Sequence, residues 1–300
     1  MHRFTLRQLE YLVTCIDCRS VAGAAERLNV SQPTISVAIT KLEEQLGVQL
    51  LLRHPSRGVT ATAAAEKVLQ SARSLLAHAT DLERQTMETG NSVVGKLRLG
   101  SFSTLAPTVL PTLIRTLSAE HPGIQLDLRE GPQDQIVNAL YDGQLDLALL
   151  YDIELPDDLH TALLAQRKPY VALAADHPLA RQKTVALSDL QAEPLILLEV
   201  APSHDYFLGL FQAIGLEPTI AHASPSIELV RGMVGCGLGY SLLVTRPDGD
   251  RTYDGNELAI RPLRDEVRSS KVVLARLANL RPTQLMKSFE DVALRVMQQV

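Results

Sequence analysis

Apolar residues spaced three and four apart predict three helices within the first 61 residues. The first helix covers about Leu6–Asp17, and a short second helix covers about Val21–Leu28. In the third helix, Ser31 suits the N-cap, and Pro33 lies in the first turn, where a helix has no backbone donor to lose. Gly47 ends this helix. Its predicted buried face contains Ile35, Ile39, Leu42 and Leu46. Three short helices around a tight turn indicate a helix-turn-helix.

The exposed face of the third helix and the segment after it carry polar and basic side chains. The second helix of a helix-turn-helix presents its N-terminal residues to base edges in the DNA major groove, where Gln pairs with adenine. The residues on this face are Gln32, Thr34, Ser36, Val37, Thr40 and Lys41. Arg53, His54 and Arg57 then form a predicted basic hairpin tip, a wing that reaches a flanking phosphate or minor groove. The spacing also fits a plain three-helix bundle, but the order of features, including the wing, favours DNA binding.

Residues 62–91 are predicted to form one long helix, with Thr62 as its cap and Gly90 at its end. About 28 residues at a rise of about 1.5 Å each give a helix of about 42 Å, which is longer than one small domain needs. Its apolar stripe consists of Ala65, Val68, Leu69, Ala72, Leu75, Leu76, Ala79 and Leu82. Such a helix either packs within its own chain or pairs with another helix.

From residue 92 onward, strands and helices alternate, which predicts mainly parallel sheets with right-handed crossovers. The predicted strands lie near 96–100, 124–128, 145–150, 170–174, 195–198, 219–222, 239–243 and 272–277. The predicted helices lie near 105–119, 135–141, 204–214, 226–234 and 283–300. Pro107 and Pro111 are expected to break the first of these helices early. The expected fold class is an N-terminal all-α winged helix-turn-helix with a long linker helix, followed by a C-terminal α/β domain.

The distribution of charge is more informative than the net charge of −5. Residues 1–62 contain seven Lys and Arg against five Asp and Glu, whereas the rest of the chain contains 22 against 29. The basic surplus therefore lies at the end that would meet phosphate. The acidic remainder disfavours contacts of other surfaces with DNA.

The cysteines and the apolar segments give no sign of a metal, a cofactor or a membrane. Cys15 and Cys18 form a C-x-x-C, but a metal or redox site needs a second ligand pair or a strand-to-helix context. No apolar run approaches the about 20 residues that a membrane span needs, and the first residues show no apolar signal core. We therefore expect a cytoplasmic protein without cofactor or membrane partner.

Four segments of the N-terminal unit resemble the LysR-type transcriptional regulators. These segments are Leu6–Leu12, Ser20–Leu28, Ser31–Ser36 and Leu42–Gly47. The residues that the resemblance implies to face DNA are Gln32, Pro33, Thr34, Ser36 and Arg53. Val37 departs from the family pattern, which commonly has arginine at this position. We therefore expect a DNA-contact pattern in which Gln32, Ser36 and Arg53 contribute more.

The resemblance continues, more loosely, in the second part of the chain. The matching segments are Ser101–Pro111, Leu145–Leu149 and Val234–Tyr240. They imply an effector-binding domain with a two-lobe, periplasmic-binding-protein-like fold. The implied domains are the winged helix-turn-helix in 1–61, a dimerising linker helix in 62–91 and the effector-binding domain in 92–300, with lobe one in 92–162 and 267–300 and lobe two in 163–266.

The expected partners follow from this organisation. They are double-stranded promoter DNA, a small-molecule effector, and further copies of the chain in a homodimer or homotetramer. A two-fold assembly predicts a pseudo-palindromic DNA site. We expect the effector to shift or close the lobes and thereby to change how the linker helices splay the DNA-binding units.

Effector contacts are predicted at the carboxyl ends of strands, where open α/β sheets bind ligands. Hydroxyls beside a helix N-terminus suit an anion, and nearby aromatic rings suit an apolar wall. The candidates are Ser101, Phe102, Ser103, Thr104, Tyr151, Glu199, Ser203, His204, Tyr206, Phe207 and Ser226. Each serine or threonine among them equally fits the role of a simple helix cap. We expect a small anionic or polar organic effector, and an aromatic one is compatible.

Three other functions fit parts of the sequence. A periplasmic solute-binding protein shares the two lobes but has a signal peptide and lacks a helix-turn-helix. An enzyme on the same lobes needs a metal cluster, a phosphate loop or a nucleophile, and His204 beside Asp205 has no nucleophile in matching context, so we expect no enzyme activity. A helix-turn-helix used only for protein contacts would fail to shift the DNA upstream of the gene.

Overall fold

The computed structural model describes residues 4–54, 58–87 and 93–298. In this part of the chain, a helical unit with a two-stranded hairpin is followed by one long helix and two α/β lobes. This architecture confirms the predicted fold class. Within the described segments, no helix is both long and apolar enough to cross a membrane.

Three helices form the N-terminal unit, α1 (Leu6–Asp17), α2 (Val21–Arg27) and α3 (Gln32–Leu46). The side chains that cap their first turns by accepting a backbone hydrogen bond belong to Thr5, Ser20 and Ser31. Asn29 adopts the left-handed conformation in the turn before α3, with φ of 52°. Gly47 ends α3 in the same region, with φ of 71°. The helix-turn-helix therefore follows from local signals that the sequence displays.

Strands β1 (Leu51–His54) and β2 (Gly58–Ala61) form the predicted wing as an antiparallel pair. The Glu43 carboxylate of α3 accepts hydrogen bonds from the backbone N–H groups of Leu50 at 2.8 Å and Leu51 at 3.0 Å. Both leucines are buried in the core of the helical unit. This carboxylate therefore fixes the start of the wing relative to α3.

The long helix α4 (Ala63–Met87) has its apolar stripe in two different environments. Leu69 and Ala72, in its first half, are buried in the core that the helix-turn-helix forms. Leu75 and Leu82, farther along, are 47% and 64% exposed. The first half therefore packs within its own chain, and the second half presents apolar residues on the surface.

A five-stranded sheet forms lobe one. Its strands are β3 (Gly95–Phe102), β4 (Ile124–Gly131), β5 (Leu147–Tyr151), β6 (Leu159–Arg167) and β12 (Ser270–Leu277). Their order is β4-β3-β5-β12-β6, with β3 parallel to β4 and β5, and β12 antiparallel to β5 and β6. The helices that pack on this sheet are α5 (Ala106–Glu120), α6 (Gln133–Tyr141) and α9 (Gln284–Met297).

Lobe two contains a three-stranded sheet and a two-stranded sheet. Its strands are β7 (Tyr170–Ala174), β8 (Pro194–Leu198), β9 (Thr219–Ser224), β10 (Ser241–Leu243) and β11 (Leu258–Pro262). The order β10-β7-β11 is antiparallel, whereas β8 and β9 are parallel. A backbone bridge between Leu195 and Tyr240 joins the two sheets. The helices are α7 (Ser203–Gln212) and α8 (Ile227–Gly235), with 3₁₀ turns at Pro178–Arg181 and Leu187–Leu190.

The structure corrects two predictions about this region. The sheets are mixed rather than mainly parallel, because β6 and β12 run antiparallel where the chain passes between the lobes. Helix α5 continues through Pro111. Val109, Leu110 and Leu113 around this proline are buried, and their burial offsets the lost backbone hydrogen bond. The predicted helix ends at Gly90 and Val300 lie outside the described residues.

The wing depends on a glycine that touches another backbone segment. Gly58 has φ of 74°, and a Cβ atom there would lie 2.2 Å from the carbonyl oxygen of Arg19. Gly47 has a similar φ of 71°, but a Cβ atom there would meet nothing within 4 Å. Alanine at position 47 would therefore introduce backbone strain alone, whereas alanine at position 58 would introduce backbone strain and a steric overlap.

We predict that Gly58→Ala destabilises the protein clearly more than Gly47→Ala. The left-handed conformation alone costs about 1 kcal/mol for alanine, which is the effect expected for Gly47→Ala. Gly58→Ala adds a backbone clash and is expected to cost at least about twice as much. Urea unfolding of the full-length variants, followed by circular dichroism, measures both losses. Equal losses would show that the Arg19 contact does not restrain the wing.

Candidate functional site

The outward face of α3 is a continuous exposed surface. Its inward face contributes Ile35, Ile39 and Leu42 to the core, and all three are fully buried. The predicted DNA contacts Gln32, Pro33, Thr34, Thr40 and Lys41 are exposed, and Ser36 is half-buried. The structure therefore brings the predicted residues of α3 together on one accessible face.

The wing lies next to α3 in the same unit. Arg53 is exposed on β1, and the neighbouring His54 Nε2 lies 3.3 Å from the Thr60 hydroxyl across the hairpin. Glu43 connects the wing to α3 through the backbone contacts described above. Arg57, also predicted to contact DNA, lies outside the described residues. A basic side chain beside a helix with exposed amide and hydroxyl groups suits base edges and flanking phosphates.

A cleft between the lobes gathers hydroxyl groups from several strand ends. Its polar lining consists of Thr104, Tyr151, Ser203, Tyr206, Thr245 and Ser270. Its apolar lining consists of Ile153, Leu198, Phe207, Ile227, Leu243 and Val244. The cleft encloses about 10 Å³ of free volume, which is the space of about one water molecule. The two lobes are therefore in contact around this cavity, which has no room for an organic molecule.

Two buried tyrosines hydrogen-bond to Thr245 at this cleft. Tyr151, at the end of β5, hydrogen-bonds to the Thr245 hydroxyl, and Tyr170 donates to the Thr245 carbonyl oxygen at 3.0 Å. Burial raises the pKa of Tyr151 above its ordinary value and raises the pKa of Tyr170 to about 12. Both phenols therefore remain neutral hydrogen-bonding groups. Phe102 packs edge-on against the Tyr151 ring, with centroids 5.7 Å apart.

The other wall of the cleft comes from α7. Tyr206 donates its hydroxyl to the Arg268 carbonyl oxygen at 2.5 Å, on the segment that leads into β12. Phe207 packs edge-on against Tyr206, with ring centroids 5.3 Å apart. Burial raises the pKa of Tyr206, so this group is also a neutral donor. Tyr206 therefore ties α7 of lobe two to the return segment of the chain.

The structure brings five of the predicted effector contacts to this cavity and leaves six away from it. The five are Thr104, Tyr151, Ser203, Tyr206 and Phe207. Ser101 and Phe102 are fully buried inside lobe one, so the cavity does not reach them. The other four that do not line it are Ser103, Glu199, His204 and Ser226.

Two of the residues away from the cavity have clear local roles. Ser226 accepts a hydrogen bond from Leu229 N and so caps α8, and His204 Nδ1 pairs with the Asp205 carboxylate at 2.7 Å. For each serine and threonine among the predicted effector contacts, the sequence analysis left open the alternative role of a helix cap. At Ser226 the hydroxyl performs that role.

Several lining residues were not predicted from the sequence. They are Ile153, Leu198, Ile227, Leu243, Val244, Thr245 and Ser270. Thr245 follows β10 directly, so the strand-end rule that selected Tyr151 also applies to it. Ser270 begins β12, and no local sequence signal marks it as part of a cleft.

The electrostatics of the cavity come from dipoles and hydroxyls. No charged side chain lines it among the described residues. Helices α7 and α8 begin at Ser203 and Ile227, which both line the cavity. Helix N-termini carry partial positive charge and favour anionic groups. In the described segments, no cluster of His, Cys, Asp or Glu has the arrangement of a metal site.

Comparison with protein families identifies both parts of the chain. A model described as "Bacterial regulatory helix-turn-helix protein, lysR family" matches residues 6–66, and one described as "LysR substrate binding domain" matches residues 90–298. The hydrogen peroxide-inducible genes activator of Dickeya chrysanthemi is 34% identical over 239 residues, covering 79% of this chain and 78% of the relative.

Solved structures show the same relationship. HinK, a LysR family transcriptional regulator from Pseudomonas aeruginosa, is 40% identical with a TM-score of 0.68, covering 99% of this chain and 100% of that chain. A full-length OxyR variant from the same species, with a cysteine changed to aspartate, is 28% identical with a TM-score of 0.78, covering 98% of both chains. LysR-type regulators are ligand-responsive proteins that bind DNA through the helix-turn-helix. The chain is therefore no enzyme but a member of the LysR family of transcriptional regulators.

Proposed function

We propose that this regulator reads promoter DNA with the outward face of α3 and the wing, and responds to a small polar organic effector in the cleft between its lobes. The observation that carries the proposal is the set of hydroxyls that both lobes contribute to one cavity. Because Tyr151 and Thr245 come from different lobes, a ligand that engages them favours one arrangement of the lobes over another. A coupling of about 1–3 kcal/mol between the effector and DNA is enough for a useful switch.

The proposed DNA contacts in the described part of the chain lie on α3 and β1, and Arg57 is proposed from the sequence alone. Together the proposed contacts are Gln32, Pro33, Thr34, Ser36, Thr40, Lys41, Arg53 and Arg57. Gln32, in the first turn of α3, has an amide that can pair with adenine in the major groove. Arg53 on the wing and Lys41 near the end of the face supply positive charge for phosphates.

The proposed effector is small, and its recognition rests on hydroxyls and helix N-termini. Without a charged lining residue among those described, an anionic group would depend on α7 and α8 for its partial positive charge. The apolar lining favours a short hydrocarbon or aromatic portion. A carboxylate or hydroxy acid of a few carbon atoms combines these properties.

Hydrogen peroxide is the second candidate effector, because relatives at about 34% identity are named as hydrogen peroxide-inducible genes activators. The cysteine positions argue against oxidation of a thiol in the cleft. Cys15 is buried in the helix-turn-helix, where burial raises its pKa to about 11 and disfavours the reactive thiolate. Cys18 is half-buried in the same unit, and Cys236 is exposed at the end of α8. None of the three lines the cavity.

The proposed assembly is a homodimer, or a homotetramer built from two such dimers. Leu75 and Leu82 on α4 offer an apolar surface for pairing of linker helices. In lobe one and lobe two, β4 and β9 are edge strands that expose Leu128 and Ile220. Because the proposed target is promoter DNA, we place the protein in the cytoplasm.

We predict that Gln32→Ala weakens binding to the DNA upstream of the gene about tenfold or more. A bidentate amide-adenine pair contributes about 1–3 kcal/mol of discrimination, and the variant removes both hydrogen bonds. A mobility-shift titration at fixed salt measures the loss. Gln191→Ala, on an exposed turn of lobe two, is the matched control and should bind like wild type. Unchanged affinity of Gln32→Ala would remove Gln32 from the recognition surface.

We predict that Thr245→Val weakens effector binding about tenfold with little change in side-chain volume, because one hydroxyl of the cleft is lost. A thermal-shift screen of small carboxylic and hydroxy acids identifies the ligand. A ligand at about 100 times its Kd adds about 2.7 kcal/mol to the free energy of unfolding. Thr219→Val, exposed on β9, is the control. A ligand that stabilises Thr245→Val as strongly as wild type binds elsewhere.

We predict that equimolar hydrogen peroxide leaves the DNA footprint unchanged, because no cysteine lines the cleft. Footprinting with and without peroxide and dithiothreitol, with mass spectrometry of each cysteine, tests this. A peroxide-dependent footprint that Cys236→Ser abolishes would replace the organic effector with a thiol sensor outside the cleft.

A further inference from the structure

Val37 is an exposed apolar residue in the middle of the outward face of α3. About two-thirds of it, 68%, is accessible, whereas Ile35 and Ile39 on the inward face are fully buried. It does not belong to the core of the helix-turn-helix, as far as the structure describes that unit. Exposure of an apolar, β-branched side chain on a helix has no benefit for folding, because valine is a weaker helix former than alanine.

The surroundings of Val37 add little polarity. The residues one turn away on either side are Pro33, Thr34, Thr40 and Lys41, and all are exposed. The Thr34 hydroxyl lies 2.7 Å from the Ser31 hydroxyl, and the Thr40 hydroxyl donates to the Ser36 carbonyl at 3.0 Å. Both threonine hydroxyls are therefore hydrogen-bonded within the helix and its cap. Val37 is therefore an apolar centre between hydroxyls that are already hydrogen-bonded, with Lys41 at the edge of the face.

We propose that Val37 is a specificity-determining residue that contacts the 5-methyl group of thymine in the target DNA. In the major groove, the thymine methyl is the apolar feature of the base edges, and apolar side chains read it. Contact would bury the exposed valine methyls together with the thymine methyl. The inference rests on the proposed docking of α3 in the major groove and names the base chemistry that this docking selects.

The resemblance to the family sharpens the contrast at this position. An arginine there would donate hydrogen bonds to guanine or to phosphate. Valine has no donor and no charge, so it cannot make either contact. The sequence difference therefore changes the class of base feature that the centre of the face can recognise, from an acceptor to a methyl group.

The test compares thymine with uracil, which lacks only the methyl group. The DNA upstream of the gene is amplified with dTTP or with dUTP, and the full-length protein is titrated against both products in a mobility-shift assay. Wild type should bind uracil DNA about fourfold more weakly for each Val37 that meets a thymine, which is the value of one buried methyl group. Val37→Ala should bind thymine DNA about fourfold more weakly, and its thymine-to-uracil ratio should fall by the same factor.

Two further variants make the comparison specific. Val94→Ala applies the same truncation to a 48% exposed valine in lobe one and should keep the wild-type ratio. Val37→Thr keeps the side-chain volume and one methyl, so it should retain a ratio above that of Val37→Ala. The thymine-to-uracil ratio of Val37→Thr still tests the inference if Val37→Ala binds DNA too weakly to measure.

The outcomes separate the inference from the function on which it rests. If wild type and Val37→Ala show the same thymine-to-uracil ratio, Val37 does not read thymine. If wild type binds neither product, the proposed DNA-binding surface itself is wrong. If instead the thymine-to-uracil ratio falls in Val37→Ala, single dT-to-dU changes within the footprint locate the base that Val37 contacts.

Discussion

The ion pair between Arg73 and Asp17 joins the long helix to the helix-turn-helix, and the same arginine side chain packs against lobe one. Arg73 lies on α4, and its guanidinium binds the carboxylate of Asp17 at the end of α1. Its Cδ atom lies 2.8 Å from the position of a Cβ atom on Gly143 of lobe one. The Arg73 side chain is only 10% exposed, so removing its partner would leave a buried charge uncompensated. The DNA-binding unit, the linker and the effector domain therefore meet at one side chain.

The surface of lobe one under this arginine is itself held by charge. Arg98 binds Asp146 at 2.5 Å and donates to the Gly143 carbonyl oxygen at 2.7 Å. The turn between α6 and β5 is therefore fixed to β3 and is expected to move together with the sheet. A movement of lobe one must carry the Arg73 contact or break it. Because Leu69 and Ala72 pack into the helix-turn-helix, a displaced α4 moves with the DNA-binding unit.

The predictions succeeded where a short segment carries its own signal. Ser31, Pro33 and Gly47 mark both ends of α3, and each acts within one helical turn, so the sequence reveals them directly. Strand β11 was missed because it is a short edge strand whose burial pattern does not alternate. The cleft was half predicted for a related reason. Tyr151 follows a strong apolar strand, whereas Ser270 joins the cavity only through pairing of distant strands.

The small volume of the cleft limits what the proposed effector can be and how it can act. With about 10 Å³ free, the cavity cannot hold an organic ligand until the lobes separate or the Tyr206 ring moves. The affinity of a ligand would therefore include the cost of breaking contacts such as the hydrogen bond from Tyr206 to the Arg268 carbonyl oxygen. This cost couples ligand binding to the arrangement of the lobes. A ligand shifts the equilibrium between this arrangement and the separated one only by the difference between its affinities for the two. Because the cavity in this arrangement has almost no room, a ligand in the cleft would bind the separated arrangement in preference to this one. Under the proposed function, lobe one would move against α4 only when the binding free energy of the ligand exceeds the cost of separating the lobes.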